Sequence, residues 1–569
     1  MTVTPLPPSI LVDLALVLGV AAVTTVACQR LRLPVVVGYL LAGLIIGPHV
    51  PVPLVADQGN VHTLSELGVI LLMFSIGLEF SLRKLLRAGP SAALVAIIQA
   101  SFMTWAGYLV GRLLGWGAIE SIFAGSAIAI SSTMIIARVF ANLGVKGPLA
   151  ELVLSALIVE DLLAIVMLTL LTAVGSGSGL SFPALLLTLA RLAGFLVVVL
   201  ALGRWFLPRF VRWVADQGND ETLLVTAVGL CFTFSLLAAK AGYSVALGAF
   251  LAGMMVAESG RERKVEHLLQ PVRDMFVAVF FVSIGMLIDP AQLAPNWRAL
   301  LAFGALVLVG KFASAALGAL LGGNSLRLSL RTGASLAQIG EFSFIIAALG
   351  QQLGAVGPAL FPVLVATCAW TTLTTPLLIR NSESLADRIE QRLPRALRHF
   401  LTHHRVAMGH LRAMPLRKGD WSHLRRPFSL LLLDGLAITL LAGVGALIQR
   451  TAIPALEARG LPHRLAALLV WAGILGLILR LSAGLLGQVR RIARSLAARA
   501  LQASGDTTEG VEEATRLCLE AALGAMVALP MAALLQPLLP PGLIPALALA
   551  ALAVGGILLW RRLRALRLA

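Results

Sequence analysis

Charge is scarce in this chain. Only 13% of its 569 residues are Asp, Glu, Lys or Arg, about half the share of a soluble domain. That shortage, with 58% hydrophobic residues, excludes an ordinary water-soluble globule. Cysteine is sparse too. Cys28, Cys231, Cys368 and Cys518 stand alone, mostly inside apolar runs. No metal spacing or disulfide framework appears, so they read as core thiols. Three motifs are missing as well: a Walker phosphate loop, a G-x-G-x-x-G after a strand, and a TVGYG-type filter. Their absence speaks against ATP drive, a nucleotide-binding regulatory domain and a potassium channel. The first apolar stretch lacks a basic start and a small-residue cleavage site, and reads as a first span.

What the chain does have is long apolar runs from end to end. Each crossing of a ~30 Å hydrocarbon core takes about 20 residues as a helix. A barrel would show short alternating segments instead. The expected fold is therefore an all-α polytopic membrane protein. Thirteen spans are expected up to residue 380, at about 9–28, 33–48, 64–82, 89–112, 118–140, 148–174, 182–206, 221–240, 244–258, 266–288, 298–321, 330–351 and 356–379. A basic linker follows at 381–427. Four further spans at about 428–448, 463–485, 515–537 and 542–560 make up a C-terminal region, 428–569, of unassigned role.

The net charge of +17 belongs to loops, so nucleic acid is not an expected partner. Arg30 and Arg32, Arg83 to Arg87, Lys146, Arg204 to Arg212, Arg261 to Lys264, and Arg327 and Arg331 fall in every second loop. By the positive-inside rule the N-terminus is outside and the linker and C-terminus are cytoplasmic.

An internal repeat is visible. "GYLLAGLIIG" from Gly38 resembles "GAFLAGMMVA" from Gly248, 210 positions on (248 − 38). "MFSIGLEF" around Gly77 resembles "FFVSIGMLID" around Gly285, 208 positions on (285 − 77). The partner spans are seven apart, an odd number, so the two copies cross the membrane in opposite directions. Inverted repeats mark secondary transporters that alternate access; likeness of Gly-rich spans by composition is the plainer alternative.

The repeat makes a test, because broken helices occupy matching places in the two halves of such proteins. "AIAISSTMIIARV" carries Ser131, Ser132 and Thr133 at its centre. About 208 positions on, "SLAQIGEFSFII" carries Gln338, Gly340 and Glu341. Unwound backbone there exposes carbonyls, and hydroxyls add oxygen ligands for hard cations. Packing of helices through small polar residues is the plainer role. Between these breaks in sequence lies "SALIVEDLLAIVMLTLL", with Glu160 and Asp161 side by side at mid-span. Helical neighbours point about 100° apart, so at most one faces the crossing directly and the other faces its flank. A carboxylate binds either a proton or a metal ion, and a buried one favours its neutral form until a cation arrives. That competition is obligatory exchange. Lys311, in "LVGKFASAAL", is expected to pair with one carboxylate when the cation is absent, to titrate itself, or to serve as a structural counter-ion. Glu66 and Glu79, near the ends of the third span, look less involved.

These stretches, with "LSELGVILLMFSIGLEFSL" and "ALGAFLAGMMVAES", resemble the membrane domain of monovalent cation:proton antiporters, the Kef-type potassium/proton branch above all, over about residues 9–380. The resemblance implies a dimer with a dimerisation half and a moving half. It implies that Asp161 is the obligatory ion- and proton-binding carboxylate, and that Ser131–Thr133 and Gln338–Glu341 line the ion site. Kef-type proteins usually carry Gln before the essential Asp; this chain has Glu160, an acid able to take an additional proton.

The expected activity is exchange of K⁺ or Na⁺ for H⁺ across the plasma (inner) membrane. No enzyme chemistry and no bound cofactor are expected. The expected partners are the two cations, the bilayer and a second copy of the chain. A gated K⁺ efflux pathway and a transport-inactive membrane sensor or scaffold are the alternatives.

Overall fold

In hydrocarbon a backbone has no water to bond, so apolar runs of this length fold as helices. In a computed structural model of the chain the described residues are helical with no strand among them. These are residues 9–31, 35–49, 58–79, 82–175, 205–241, 243–286, 288–394, 462–504 and 509–535, together with 194, 195 and scattered positions from 398 to 459. The expected spans 182–206, 428–448 and 542–560 lie wholly or largely outside them, as does most of the linker.

The elements are α1 (Ser9–Arg30), α2 (Val35–Ile46), α3 (Gln58–Glu79), α4 (Leu82–Leu113), α5 (Ala118–Ala129), α6 (Thr133–Leu143) and α7 (Pro148–Gly175). After residues 205–216, themselves helical, come α8 (Asp220–Lys240), α9 (Val245–Ala257), α10 (Glu262–Met286) and α11 (Trp297–Leu321). They are followed by α12 (Leu326–Leu336), α13 (Glu341–Gln352), α14 (Leu360–Arg392), α15 (His463–Ser504) and α16 (Glu509–Leu535).

Seven described helices are long and apolar enough to cross a membrane, eight if the bent pair α12 and α13 counts as one. The chain is thus a multi-pass helical membrane protein. Some expected spans are short. α2, with 12 residues, rises only about 18 Å. One boundary moves: α14 runs on to Arg392, so residues 381–392 are helix where the sequence reading has linker. "SLADRIEQR" keeps Leu385, Ala386 and Ile389 at helical spacing, and Ile389 packs beside the buried Ala386.

The helices sort into two packed groups. α1, α2, α3, α8, α9 and α10 pack on one another, with α3 against α9 and α10, and α2 against α10. The second group is α4, α5, α6, α7, α11, α12, α13 and α14. α16 lies on α4 and α11 of the second group and pairs with α15.

Glycine sets the closest approaches in the first group. A Cβ on Gly43 would lie 2.7 Å from Gly285 Cα, and one on Gly253 would lie 2.9 Å from Gly77 Cα. Small residues let helix backbones come this near, where dispersion and weak polar contacts replace the missing hydrophobic drive.

Candidate functional site: a crossing of two broken helices

Both polar interruptions seen in the sequence are breaks in helices. α5 ends at Ala129, and Ile130 and Ser132 are extended (φ −98°, ψ 136° and φ −88°, ψ 118°) before α6 begins at Thr133. Ser132 caps α6 by accepting the Ile135 N–H at 3.2 Å. Hydroxyl residues favour this cap because the first N–H groups of a helix have no internal partner. The second break separates α12 from α13 with a 45° bend.

The two breaks meet face to face. A Cβ on Gly340 would fall 2.6 Å from Ser132 Cα, so the second chain passes there only as glycine. The Ser132 N–H donates to Gln338 Oε1 and Gln338 Nε2 donates back to the Ser132 carbonyl, both at 3.2 Å. Ser131 Oγ donates to the Leu336 carbonyl at 3.2 Å. These bonds satisfy backbone groups that the unwound turns leave open.

Three carboxyl groups surround the crossing. Glu160 accepts the Ser131 N–H at 2.8 Å, and Asp161 accepts from Thr133 Oγ1 at 3.1 Å. The adjacent acids therefore both reach the first break, at positions two residues apart, which accommodates their splay. Glu341, the first residue of α13, accepts from Ser132 Oγ at 2.7 Å. Burial separates them: Glu160 is 0% exposed, Glu341 3%, and Asp161 8%. Two of these contacts lie at helix N-termini, where the aligned peptide dipoles favour negative charge.

Lys311 is fully buried and ends a turn of π-helix, Leu306–Lys311, inside α11. Such turns recur where a helix must redirect a functional side chain. Its ammonium donates to the Gln338 carbonyl at 2.8 Å. The expected bond to a carboxylate is replaced by one to a carbonyl. α12 ends at Leu336, and carbonyls at and just beyond a helix C-terminus attract a cation.

The structure thus gathers Ser131, Ser132, Thr133, Glu160, Asp161, Lys311, Gln338 and Glu341 at one place. It adds residues that the sequence reading passed over. Gln99 of α4 is fully buried beside Glu160 and donates to the Ala129 carbonyl at 3.1 Å, closing the end of α5. Ser343 Oγ donates to the Ala127 carbonyl at 2.6 Å, and Cys368 Sγ to the Ile339 carbonyl at 3.4 Å. The available signal for Gln99 was an amide within the apolar run "LVAIIQASF". Among the described residues no three of His, Cys, Asp and Glu gather as a transition-metal site requires. The donors are hard oxygens, suited to an alkali cation as cargo.

The family model described as "Sodium/hydrogen exchanger, transmembrane" matches residues 15–380. The chain belongs to the sodium/hydrogen exchanger family. The chain is 35% identical over 387 residues to YbaL of Escherichia coli (strain K12), named for cation/proton antiport; the match covers 66% of this chain and 68% of the relative. It is 32% identical to K(+) efflux antiporter 5 of Arabidopsis thaliana, over 65% of this chain and 66% of the relative. It is 28% identical to the high-affinity Na(+)/H(+) antiporter NhaS3 of Synechocystis sp. (strain ATCC 27184 / PCC 6803 / Kazusa), over 62% of this chain and 85% of the relative. The chain spans about two-thirds of the length of the first two relatives. Its family is one of transporters rather than enzymes.

Proposed function

We propose that the chain is a secondary antiporter exchanging K⁺ or Na⁺ for H⁺ across the plasma (inner) membrane by alternating access. Cation and proton compete for the buried carboxylate of Asp161. Glu160 and Glu341 complete a negatively charged, oxygen-lined crossing with Ser131, Ser132, Thr133 and Gln338. The observation that carries the reading is the meeting of two broken helices with three carboxyl groups around them. An apolar interior repays such burial of charge only through function. With no cation present, Lys311 supplies the balancing charge.

The proposed fold has about 13 spans with four more behind them, and contacts between the halves support its inverted repeat. Gly43 meets Gly285 and Gly253 meets Gly77, which are equivalent contacts under the offset of 208 to 210. Ser132 meets Gly340, its own equivalent (340 − 132 = 208), as an axis of pseudo-symmetry requires. The helix groups then correspond to a dimerising scaffold, α1 to α3 with α8 to α10, and a moving ion carrier built around the crossing. In this arrangement the N-terminus is outside, the C-terminus cytoplasmic, and the scaffold joins two copies of the chain.

The test is proton movement in everted vesicles or proteoliposomes on addition of K⁺ or Na⁺. Asp161→Asn is expected to abolish it while the purified protein keeps its size-exclusion profile and melting temperature. Full exchange by that variant overturns the assignment.

A further inference from the structure

The helix of residues 205–216 presents two unlike faces. Leu207, Val211 and Val214 fall within about 60° of one another round its axis, at about 100° per residue, and all three are buried in the core. The opposite face carries Trp205, Phe206, Arg209, Arg212 and Trp213, all exposed. Trp205 is 76% exposed, Phe206 63% and Trp213 62%. With Phe210 at their edge, these rings and Arg209 line a concavity of about 460 Å³. Such a face suits neither water nor hydrocarbon: three large rings are costly in the first, two guanidinium groups in the second. It suits the boundary between them, where tryptophan rings collect and arginine reaches the headgroups.

The arginines are held in place but not neutralised. The Arg209 guanidinium lies over the Trp205 ring, 5.5 Å from its centroid, and donates to the Trp205 carbonyl. Arg212 Nε donates to the Pro208 carbonyl at 3.1 Å. Among the described residues neither has an acidic partner. The next acids along the chain, Asp216 and Asp220, pair with Arg261 and Lys264, each at 2.6 Å. The face thus offers two positive charges beside an apolar surface. A second copy of the chain fits it poorly, because a two-fold axis through this face sets like charges against each other, and the cores of protein interfaces are depleted of charge. In the proposed orientation these arginines lie on the cytoplasmic side, where the leaflet carries anionic lipid.

We propose that this aromatic cup is a binding site for one anionic phospholipid of the cytoplasmic leaflet. Its phosphate sits between Arg209 and Arg212, one turn apart, and its glycerol backbone and upper acyl chains lie over Trp205, Phe206, Phe210 and Trp213. Stacking on Trp205 already orients the Arg209 fork, whose planar donors match a phosphate. The buried face of the helix fixes the cup to the core, so a lipid bound there keeps its place instead of exchanging freely with its neighbours. The site is separate from the crossing and does not depend on the antiport reading.

Two of the nine tryptophans report on the cup. The full chain is placed in phosphatidylcholine nanodiscs that hold rising fractions of phosphatidylglycerol, brominated near the headgroup end of its chains, and tryptophan fluorescence is read. The signal of the cup is the difference between wild type and Trp205→Phe/Trp213→Phe. Phosphatidylglycerol is expected to quench it saturably, and equally brominated phosphatidylcholine only in proportion to its fraction. Arg209→Gln and Arg212→Gln replace exposed side chains and are expected to keep the wild-type melting temperature in phosphatidylcholine alone. Each raises the half-quenching fraction of phosphatidylglycerol about fivefold, the factor one basic side chain contributes near an anionic surface. Equal quenching by the two headgroups overturns the site, as do arginine variants with the wild-type midpoint. A difference signal that neither brominated lipid quenches also overturns it, since protein then covers the face. So does displacement by inorganic phosphate beyond the effect of chloride at equal ionic strength, since a free anion then suffices. Transport plays no part in this readout, so its failure leaves the antiport reading to its own test.

Discussion

Glu160 and Asp161 are neighbours in sequence yet hold unequal positions. Glu160 is sealed against Ser131 and Gln99, whereas Asp161 keeps some exposure beside Thr133. The more open acid is better placed to trade ligands with water, and the sealed one to hold the local charge balance with Lys311. A Gln at 160 keeps an oxygen to accept the Ser131 N–H but removes a titratable group. Glu160→Gln is therefore expected to retain cation-driven proton movement and to change the charge carried per cycle. A voltage-sensitive dye in proteoliposomes, compared with a pH dye on the same preparation, reads that ratio. An unchanged ratio and pH profile make Glu160 a bystander. The sequence disclosed this pair because two acids in an apolar run are costly enough to stand out. It did not disclose the partner of Lys311, because the Gln338 carbonyl becomes available only where α12 stops.

At the scale of elements, close helix approach is the property most open to attack. α2 and α10 touch through Gly43 and Gly285, and α3 and α9 through Gly77 and Gly253. A methyl at either site meets backbone atoms, which cannot swing aside as a side chain can. Gly43→Ala and Gly253→Ala are each expected to destabilise the protein by about 1–3 kcal/mol, the usual cost of overpacking. A lower melting temperature in detergent checks this; Gly89→Ala, where a Cβ meets nothing within 4 Å but the backbone has φ +75°, is a poor control, and Gly229→Ala, with open space around it, is a good one. The glycine stretches were legible as a repeat, and the polar interruptions as breaks, since each departs from apolar monotony. The pairing of Gly43 with Gly285 was not, because it depends on which helices become neighbours. Gln99 and Ser343 were hidden for the same reason: their meaning lies in carbonyls of α5 that are distant in sequence. Glu66, near a helix end, looked less involved until α13 was seen to bring Gln352 to it.

Among the described residues the helices form two packed groups, the scaffold and the carrier of the proposed antiport, and the C-terminal helices take a side. Trp105 of α4 packs against the hydrophobic cluster that contains Ile474 and Ile478 of α15, and Leu523, Val527 and Met531 of α16 pack against the same cluster. His404 Nε2 lies 3.1 Å from the Leu320 carbonyl at the end of α11, and Met408 fills the space beside Gly323. All of these contacts fall on the second helix group, so under the proposed mechanism α15 and α16 are expected to travel with it. The proposed alternating access requires the two groups to slide or rock against each other, and the Glu66–Gln352 bond spans the line between them. Cysteines placed at 66 and 352, in a chain otherwise free of cysteine, are expected to arrest exchange once joined by a short bifunctional thiol reagent. A reducible linker restores it on cleavage. Cysteines placed at 105 and 527, within the carrier and its attached helices, are expected to leave exchange running when joined in the same way. Arrest by the second pair, or continued exchange with the first fully joined, contradicts the division into two moving groups.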